Sequence, residues 1–372
     1  MTSADQQATS EAAIDTHRYA VVVAGGSGTR LWPLSRRHLP KQMQRLMSDR
    51  TLIAETVDRL RGVVPLENVF ISTTDNYRQM IADQLPDIDP ANFIVEPEAR
   101  GTAAAFALLA NHLHRLDPEA VVFSLASDHA ITDIDRFQQT MLRAYELIER
   151  EPLFLAIVGI RPTRPDTGLG YIRGRRVDVA DESVFRAEKF VEKPTQEVAR
   201  GYVESGEYFW NSAYYCFRVS TLLKAYDDAD PSLVSATADY LDTSDPEAYR
   251  RAPTKVHEIE IVDSTKFPLA VIAADFEWSD IGTFGALHRA LSERVGTDLV
   301  SSGRHQDLGS SNCLVLNHDD RVVVTVGLTN VAVIATAEEV VVFDMLRLEE
   351  SPEAMQSFVA RLQAGTEGDD DA

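Results

Sequence analysis

Short runs of apolar and β-branched residues alternate, as far as Ile160, with longer segments whose apolar residues recur at helical spacing. The runs predict buried strands at Ala20–Val23, Val69–Ile71, Phe93–Val95, Val121–Leu125 and Leu153–Ile160. The segments between them predict helices at Leu52–Leu60, Tyr77–Leu85, Thr102–Leu116 and Phe137–Ile148. Apolar strands that are each followed by a helix indicate an α/β domain, built on a mostly parallel sheet with helices on both faces.

The pattern changes after Arg161, where loops, two-residue alternations and short helices follow one another. A helix is predicted from Phe284, and four short β runs come after it, at Asn312–Leu316, Arg321–Val326, Asn330–Ala335 and Val340–Phe343. Their spacing of ~10 residues lies within the ~8–12 typical of small all-β units, so we expect a small C-terminal β module. Ser351–Leu362 predicts a terminal helix, with Ser351 as its N-cap and a proline at its first position.

These changes divide the chain into four parts. We expect a disordered N-terminus (1–17), an α/β domain (18–285), a linker helix with the β module (286–350), and a terminal helix with an acidic tail (351–372). A cut after about Arg294 is expected to leave the α/β domain folded and its phosphate-binding residues together.

Composition narrows the class of protein. The 372 residues are 44% hydrophobic and 25% charged, as in an ordinary globular protein. With 36 basic and 58 acidic residues the net charge is −22, which argues against non-specific nucleic-acid binding. The N-terminus lacks the apolar core of a secretory signal, and no apolar run approaches the ~18 residues of a membrane span. Because Cys216 and Cys313 are also too few for a disulfide framework, we expect a cytoplasmic protein that binds neither nucleic acid nor membrane.

A glycine-rich turn follows the first predicted strand and consists of Gly25, Gly26, Ser27, Gly28 and Thr29. Glycines allow main-chain N–H groups to approach a ligand closely. Arg30, Arg36 and Lys41 follow the turn, and no acidic residue occurs between Asp15 and Asp49. A cationic glycine turn in an otherwise acidic chain predicts a polyphosphate site.

Two common phosphate loops do not fit this stretch. The pattern G-x-x-x-x-G-K-[ST] is absent because Arg30 stands near the place of its Lys-Ser/Thr pair, and G-x-G-x-x-G fails because Leu31 occupies the place of the third glycine. The stretch instead resembles the GGxGTRL…P…PKQ loop of nucleoside-diphosphate-sugar pyrophosphorylases. Its WPLSR and PKQ segments are most similar to the mannose-1-phosphate guanylyltransferase branch. The resemblance covers Tyr19 to Phe343, and it implies a Rossmann-like nucleotidyltransferase domain followed by a left-handed β-helix-like module.

The segment Glu96-Pro97-Glu98-Ala99-Arg100-Gly101-Thr102 resembles the family's EPxxRNTA segment, which cradles the nucleotide base and ribose. The resemblance implies that the nucleotide contacts Glu96, Arg100, Gly101 and Thr102. Guanine offers N1–H and N2–H₂ donors, so one carboxylate and main-chain carbonyls could distinguish it from adenine. Gly101 departs from the family's usual Asn, and Ala104 departs from its usual Pro.

Two aspartates resemble the family's metal ligands. Asp128 lies in a turn similar to (P)xDH, and Asp280 lies in a segment similar to GWSDVG. The resemblance implies that both hold Mg²⁺, which binds few carboxylates and takes its other oxygen ligands from phosphates and water. His129, the next residue after Asp128, is expected to be structural.

Three further segments resemble the family's sugar site. The resemblance implies that Gly170 lets the chain approach the sugar, that Glu192 accepts hydrogen bonds from sugar hydroxyls, that Lys193 pairs with the sugar 1-phosphate and that Asn211 bonds to the sugar. The sequence departs from the family after Asn211, where Ala213-Tyr214-Tyr215 replaces G-M/I-F. It departs again at Glu260, where Asp is usual.

Taken together, the resemblance implies an enzyme that makes GDP-mannose and pyrophosphate from GTP and mannose 1-phosphate. Arg30 would hold the β- and γ-phosphates and Lys41 would face the α-phosphate, with Mg²⁺ between the substrates. The β module would suit a homodimer contact. Two alternatives stay open, a related hexose- or heptose-1-phosphate nucleotidyltransferase and a non-catalytic paralogue that binds a nucleotide sugar and regulates a partner.

Overall fold

The computed structural model describes residues 17–26, 29–36, 38–176, 183–258, 267–350 and Ser357. Ser27, Gly28 and Glu260 therefore lie outside the described residues, and only the main chain of Thr29 is described. Apart from His17 and Ser357, the predicted disordered N-terminus, terminal helix and acidic tail also lie outside them.

Strands occur where the apolar runs predict them, and further strands follow. In chain order they are β1 (Arg18–Val23), β2 (Val69–Thr74), β3 (Phe93–Glu96), β4 (Val121–Ala126), β5 (Ala130–Ile131), β6 (Leu155–Ile160), β7 (Tyr171–Arg176), β8 (Val184–Val191), β9 (Tyr208–Arg218), β10 (Leu269–Ala274), β11 (Trp278–Ser279), β12 (Leu299–Ser302), β13 (His305–Leu308), β14 (Cys313–Asn317), β15 (Val323–Val326), β16 (Val331–Ala335) and β17 (Val340–Asp344). The five predicted early strands correspond to β1 to β4 and β6, and the four predicted late runs correspond to β14 to β17. β12 and β13 were not predicted.

Helices fill most of the segments between these strands. They are α1 (Leu52–Asp58), α2 (Asp75–Gln84), α3 (Thr102–Leu116), α4 (Ile134–Arg150), α5 (Gln196–Ser205), α6 (Val219–Ala229), α7 (Pro231–Thr243), α8 (Pro246–Arg250), α9 (Phe284–Val295) and α10 (Met345–Glu350). Several helices begin at a residue whose side chain accepts a hydrogen bond from a main-chain N–H of the first turn: Thr51 caps α1, Asp133 caps α4 and Thr283 caps α9. Within the described ranges, none of the helices has the length and apolar content that crossing a bilayer requires.

Nine strands form one sheet in the order β3-β2-β1-β4-β9-β6-β10-β8-β7. β1 is parallel to β2 and β4, β2 is parallel to β3, and β6 is parallel to β10. β9 is antiparallel to both β4 and β6, and β8 is antiparallel to β10 and β7. Seven of these nine strands therefore run in one direction, as predicted, but the sheet is mixed because β9 lies between β4 and β6.

The long strand β9 joins the two ends of this sheet. Beyond its contacts with β4 and β6, its first residues pair with β7, where Trp210 lies opposite Tyr171. The pairings from β9 through β6, β10, β8 and β7 thus return to β9 and form a ring. Gly159 and Gly174 leave room inside it for Phe209, since a Cβ at either position would lie within 2.8 Å of a Phe209 atom. The ring places the start of β9 beside the start of β7, where the predicted sugar-binding residues occur.

Two apolar cores cover the faces of the sheet. Alternate residues of β1 point to opposite sides: Ala20 and Val22 belong to the core with α1, α2 and α4, whereas Val21 belongs to the core with α3, α6 and α7. Both faces are therefore covered, and the carboxyl-terminal edge of β1, β3 and β4 remains for ligands. Gly25, Glu96 and Asp128 follow or end these strands at that edge.

The C-terminal module is a small parallel β-solenoid. β12, β14 and β16 stack in parallel as one sheet, and β13 and β15 stack as a second. Equivalent positions are 14 residues apart from β12 to β14 and 18 residues apart from β13 to β15 and from β14 to β16. Across the 18-residue spacing, Asp307 accepts a hydrogen bond from Thr325, and Asn312 donates to Asn330. Both asparagines have positive φ, +49° and +61°, a conformation that Asn tolerates at a tight corner. β17 is antiparallel to β16 and ends the stack. The predicted β module is therefore confirmed, as a short solenoid whose successive coils have 14 and 18 residues.

The solenoid shares its core with the loop that follows β1. One buried cluster contains Leu31, Leu34, Leu46 and Met47 from that loop, Ile281, Phe284 and Leu287 from the α9 region, and Val300, Leu314, Leu316, Ala332 and Ile334 from the solenoid. Arg36 crosses the same boundary, because its guanidinium pairs with Glu338 and, at 2.5 Å, with Glu339. A cut after Arg294 would expose this cluster, so we now expect it to destabilise the α/β domain rather than leave it folded.

Leu314→Ala should lower the free energy of unfolding by ~2–5 kcal/mol, because Leu314 is fully buried in the shared core. Leu308→Ala is the matched control, since Leu308 is 70% exposed on β13, and it should change stability by less than ~0.5 kcal/mol. Urea titration followed by circular dichroism measures both values. Two separate unfolding transitions, of which Leu314→Ala shifts only one, would contradict a core shared between the solenoid and the α/β domain.

Candidate active site

Lys41 is a buried cation at the centre of the candidate site. It begins a short 3₁₀ turn, Lys41–Met43, and is 5% exposed. Its ammonium donates to the main-chain oxygen of Asp280 and lies 2.8 Å from Asp128 Oδ2. The structure thus brings together the predicted catalytic lysine and both predicted metal ligands, although Lys41 and Asp280 are 239 residues apart in sequence.

Asp128 is held in its ionised form. Burial by itself raises the pKa of this carboxyl, but the Lys41 ammonium, His129 and hydrogen bonds together lower the pKa by more than burial raises it. The net pKa therefore lies below the usual value for Asp. A carboxylate that stays ionised beside a lysine can also bind a metal cation at neutral pH.

The His129 ring is a neutral group that supports the site. Burial lowers its pKa to about 4. Its Nδ1 lies 3.2 Å from the Trp278 indole N–H and 3.1 Å from the Tyr214 hydroxyl. An indole can only donate, so Nδ1 accepts and the ring proton is assigned to Nε2. This arrangement agrees with the expected structural role and ties Asp128 to β11, the strand that ends just before Asp280.

Asp280 is oriented by its own turn. Its Oδ1 accepts from the Gly282 N–H at 3.1 Å, and Ile281 between them has φ of +44°. A Cβ on Gly282 would lie 2.5 Å from Asp280 Oδ2, so a side chain at 282 would push the carboxylate out of place. The turn therefore sets the direction of the Asp280 carboxylate as well as the position of its main-chain oxygen.

The donors at this point fit Mg²⁺ better than a metal held by protein alone. The carboxylates of Asp128 and Asp280 both act on the pKa of His129, so they lie in the same small region. In the described ranges no group of three or more His, Cys, Asp or Glu side chains could hold a metal ion. Two carboxylates suit an ion that takes its remaining oxygen ligands from phosphates and water, whereas a structural zinc site needs four protein ligands.

A buried glutamine shapes the glycine turn. Gln42, next to Lys41, donates from Nε2 to the main-chain oxygens of Gly26 at 3.0 Å and Ala24 at 3.3 Å. These bonds fix the carbonyls of the turn. Arg30 is exposed and forms no ion pair with any described residue, so its guanidinium remains available to phosphates. Arg36, in contrast, is taken up by the solenoid and does not add to the cationic turn.

Glu96 and Gly101 mark the predicted base end of the site. Glu96 lies beside the glycine turn, since a Cβ on Gly25 would be 3.5 Å from Glu96 Oε1. Gly101 has φ of +84°, and a Cβ there would lie 2.5 Å from the main-chain oxygen of Lys255. Asn can adopt positive φ, but its Cβ would collide with Lys255. The close approach of Lys255 thus explains why glycine replaces the family's usual Asn.

Arg100 and Thr102 contact the segment that follows α8. The Arg100 guanidinium donates to the main-chain oxygen of Ala252 at 2.9 and 3.2 Å. Thr102 Oγ1 accepts from the His257 N–H at 2.8 Å. In this structure both residues therefore hold a neighbouring segment against the start of α3, and their contact with nucleotide stays a prediction.

The predicted sugar-binding residues lie together where β7 meets β9. The Asn211 N–H donates to the Gly170 oxygen at 2.8 Å. A Cβ on Gly170 would lie 2.8 Å from Glu192 Oε2 and 2.9 Å from the Phe190 ring, so a side chain there would have to push both aside. Lys193 is half exposed, has φ of +43°, and its ammonium lies 3.5 Å from Glu192 Oε1. The Glu192 carboxylate and the Asn211 main chain thus both lie against Gly170, and the Lys193 ammonium lies beside Glu192.

Ala213 lies in a strained backbone conformation beside this cluster. The register of β9 against β6 shifts between Asn211 and Tyr215, and Ala213 lies in that irregularity with φ of +57°. The Asn211 Oδ1 accepts from the Ala213 N–H at 2.8 Å, which stabilises the bend. Glycine adopts positive φ without strain, so the family's usual Gly at this position has a conformational reason.

Sequence reasoning missed Gln42 as a site residue, and it missed Tyr249, whose hydroxyl lies 2.5 Å from Glu96 Oε2. The role of Gln42 was detectable in the sequence, because Gln42 belongs to the PKQ segment already singled out next to Lys41. Tyr249 had none, because it lies 153 residues after Glu96 in a short helix without a motif.

The sequence profile of the family described as "Nucleotidyl transferase" matches residues 19–295, which is more than half of the chain. This chain belongs to the nucleotidyl transferase family. A mannose-1-phosphate guanylyltransferase of Escherichia coli (strain K12) is 32% identical over 357 residues, covering 92% of this chain and 73% of that protein. One of Sinorhizobium fredii (strain NBRC 101917 / NGR234) is 33% identical over 356 residues, covering 92% of this chain and 67% of that protein. The resemblance found in the motifs is therefore confirmed at the level of the family.

Two solved structures agree with the fold. A Thermus thermophilus protein described as a mannose-1-phosphate geranyltransferase superimposes with a TM-score of 0.81, at 30% identity, over 93% of this chain and 99% of that one. A Helicobacter pylori protein described as a mannose-6-phosphate isomerase superimposes with a TM-score of 0.58 at 18% identity, over 71% of this chain and 99% of that one. The second likeness concerns the fold alone.

Ala213→Gly should stabilise the protein by about 1 kcal/mol, because glycine removes the cost of positive φ at the β9 bend. Ala187→Gly is the matched control: Ala187 is equally half-buried and also lies beside a register shift, in β8, but it does not have positive φ, so glycine there should destabilise by ~0.5–1 kcal/mol. Denaturant midpoints of the two variants should therefore move in opposite directions. A loss of stability in both would mean that the bend does not strain Ala213.

Proposed function

We propose that this chain is a mannose-1-phosphate guanylyltransferase that makes GDP-mannose and pyrophosphate from GTP and mannose 1-phosphate. The observation that carries the proposal is the buried contact of Lys41 with Asp128 and Asp280, in a chain whose relatives include named mannose-1-phosphate guanylyltransferases. A cation held between two carboxylate-bearing loops, next to a glycine turn, suits a reaction in which charge builds on a phosphate.

The reaction needs positioning and charge neutralisation more than a strong base. An oxygen of the sugar 1-phosphate is already anionic, and it attacks the α-phosphorus of GTP as the bond to the β-phosphate oxygen breaks and pyrophosphate leaves. Lys41 faces the α-phosphate, and Arg30 binds the phosphates that leave. The main-chain N–H groups of the glycine turn, from Gly25 to Thr29, complete the cradle.

Asp128 and Asp280 are the residues that would hold Mg²⁺. When bound, the ion supplies positive charge that the phosphate oxygens of both substrates share. The Gly282 N–H would hold the Asp280 carboxylate, and the contacts of His129 with Trp278 and Tyr214 would anchor the turn that carries Asp128. Because the Lys41 ammonium contacts both loops, it can stabilise negative charge that develops near either of them.

The two ends of the site would select the substrates. Glu96, with the main chain of Gly101 and Thr102, is assigned to guanine, and Arg100 is assigned to the ribose side. Glu192 and Asn211 are assigned to the mannose hydroxyls, and Lys193 to the sugar phosphate. A site that hydrogen-bonds the axial 2-hydroxyl of mannose leaves polar groups unpaired with glucose, which favours mannose 1-phosphate.

A homodimer through the solenoid is part of the same proposal. The outward side chains of β13, β15 and β17 include exposed Leu308, Val324, Val326, Val340 and Val342. Exposed apolar side chains of this kind suit burial against a second copy, so the solenoid would act as an assembly module. The family resemblance assigns it a left-handed β-helix geometry. We place the reaction in the cytoplasm, where the buried thiols of Cys216 and Cys313 would stay reduced. The molar mass in solution, expected to be that of two chains, checks the dimer.

The purified protein should release pyrophosphate when GTP, mannose 1-phosphate and Mg²⁺ are all present, and chelation of the metal should abolish the release. Mannose 1-phosphate should exceed glucose 1-phosphate by at least ~10-fold in kcat/KM. Coupled pyrophosphate detection with four nucleoside triphosphates and several sugar 1-phosphates tests all of this. A preference for another sugar would indicate a related hexose- or heptose-1-phosphate nucleotidyltransferase. Binding of GDP-mannose without turnover of any pair would indicate the non-catalytic paralogue instead.

Lys41→Ala should lower kcat by ~10²–10³-fold while changing the KM for GTP much less, because Lys41 acts on charge that develops in the transition state. Lys193→Ala is the contrast: loss of its half-exposed ammonium should mainly raise the KM for mannose 1-phosphate. Initial-rate kinetics separate the two patterns, and the thermal midpoint shows whether Lys41→Ala remains folded. A folded Lys41→Ala variant with near-normal kcat would remove Lys41 from the mechanism.

A further inference from the structure

The carboxyl group of Glu96 is bound on one side and open on the other. Its Oε2 accepts from the Tyr249 hydroxyl at 2.5 Å, and in the described part of the chain this is its one hydrogen bond. Glu96 is 5% exposed and Tyr249 is fully buried, so the bond is shielded from water. Oε1 has no hydrogen-bond partner among the described residues and lies beside the glycine turn, where a Cβ on Gly25 would be 3.5 Å from it.

Tyr249 is rigidly placed by the segments on either side of it. It lies near the carboxyl end of α8, and its ring packs against Tyr240 of α7 with centroids 5.5 Å apart. After α8 the chain runs across the start of α3, where Ala252 accepts from Arg100. The Lys255 oxygen then accepts from the Ala103 N–H at 3.2 Å. A hydroxyl anchored on both sides in this way can hold a carboxyl group in one orientation.

We propose that Tyr249 is a positioning residue of the guanine site: it occupies Glu96 Oε2 and so directs Oε1 toward the N–H donors on the N1/N2 edge of the base. This inference rests on the proposed function, because it assigns guanine to Glu96. It adds a group from α8, which none of the recognised motifs contains, to the determinants of nucleotide choice.

The same contact sets the protonation of Glu96. Burial raises the pKa of this carboxyl to about 7, and the Tyr249 hydrogen bond opposes the rise. From α8, the titratable group that faces Glu96 is Tyr249, and Arg100 and Tyr240 affect the pKa of Tyr249 rather than that of Glu96. Gly25 and Thr74, which is paired with Glu96 between β2 and β3, face it without charge. Only the ionised form has two acceptor oxygens for the base and Tyr249 together. GTP binding should therefore weaken as pH falls through about 7.

Tyr249→Phe removes the hydroxyl and keeps the ring. Without the bond that lowers it, the pKa of Glu96 rises further, so the pH at which the KM for GTP begins to increase should move upward. At pH 7 we expect a KM for GTP raised by about 10-fold with kcat changed by less than about 3-fold, and a partial recovery at pH 9, the 10-fold corresponding to about 1.4 kcal/mol. The ratio of kcat/KM for GTP to that for inosine triphosphate, which lacks the 2-amino group, should also fall.

Tyr240→Phe is the matched control. Tyr240 contacts the Tyr249 ring, and its hydroxyl donates to the Val95 oxygen at 3.2 Å, one residue before Glu96. It should leave both the pH profile and the GTP to inosine triphosphate ratio unchanged. Thermal midpoints of both variants show how much of any effect is structural, because a purely structural defect raises the KM equally at all pH values.

The outcomes separate the inference from the proposed function. An active wild-type enzyme whose Tyr249→Phe variant keeps the wild-type pH midpoint and nucleotide ratio would overturn the role of Tyr249 and leave the guanylyltransferase proposal standing. A wild-type enzyme that prefers a nucleotide other than GTP would overturn the proposed function, and with it the assignment of guanine to Glu96. An upward shift of the pH midpoint in Tyr249→Phe alone supports the inference.

Discussion

Apolar packing between the solenoid and two loops holds the reacting side chains of this protein together. Leu46 and Met47 come soon after Lys41, Ile281 comes directly after Asp280, and all three are buried in the core that the solenoid completes. The two loops belong to distant parts of the chain and would otherwise meet mainly through the lysine contact. Burial of apolar surface is strong and non-directional, so it can fix the loops while leaving the polar contact free to change when substrates bind.

The electrostatics of the site follow from that burial. Burying the Lys41 ammonium costs hydration, and the carboxylate of Asp128, 2.8 Å away, offsets that cost. Low exposure also means that the ammonium is weakly screened, so its effect on a nearby phosphate is larger than at the surface. The net charge of −22 would repel anionic substrates elsewhere. Recognition of a polyphosphate therefore depends on a few local groups and not on the charge of the whole protein.

Local patterns were sufficient to predict much of the fold. β1 to β4, β6 and α1 to α4 were recognisable because each needs only its own periodicity and its flanking residues. Because strands of this kind end at one edge, Gly25, Glu96 and Asp128 could also be placed near one another. The position of β9 between β4 and β6 could not be predicted, since it depends on the pairing of a strand with partners far away in sequence.

The remainder of the site was hidden for the same reason. Arg36 looked like part of a phosphate-binding turn, but its partner Glu338 is 302 residues away. The chemical type of a side chain predicts what it can bind, whereas the folded chain decides which partner reaches it first. Gly101 and Ala213 show the opposite case: each departs from the family pattern, and only the backbone angles and the approach of Lys255 give the departures a physical meaning.

The pairing of Arg36 with Glu338 and Glu339 limits how many coils the solenoid can have. Both acids lie in the turn between β16 and β17, beyond the last parallel coil. Solenoids commonly gain or lose whole repeats, because each repeat contacts only its neighbours. Here one more or one fewer 18-residue coil would move that turn by a strand spacing of ~4.8 Å, well beyond the reach of a hydrogen bond to a fixed guanidinium. The contacts of Arg36 are thus compatible only with the present number of coils, so adding or removing a repeat would cost the solenoid its ion pairs with the loop that follows β1.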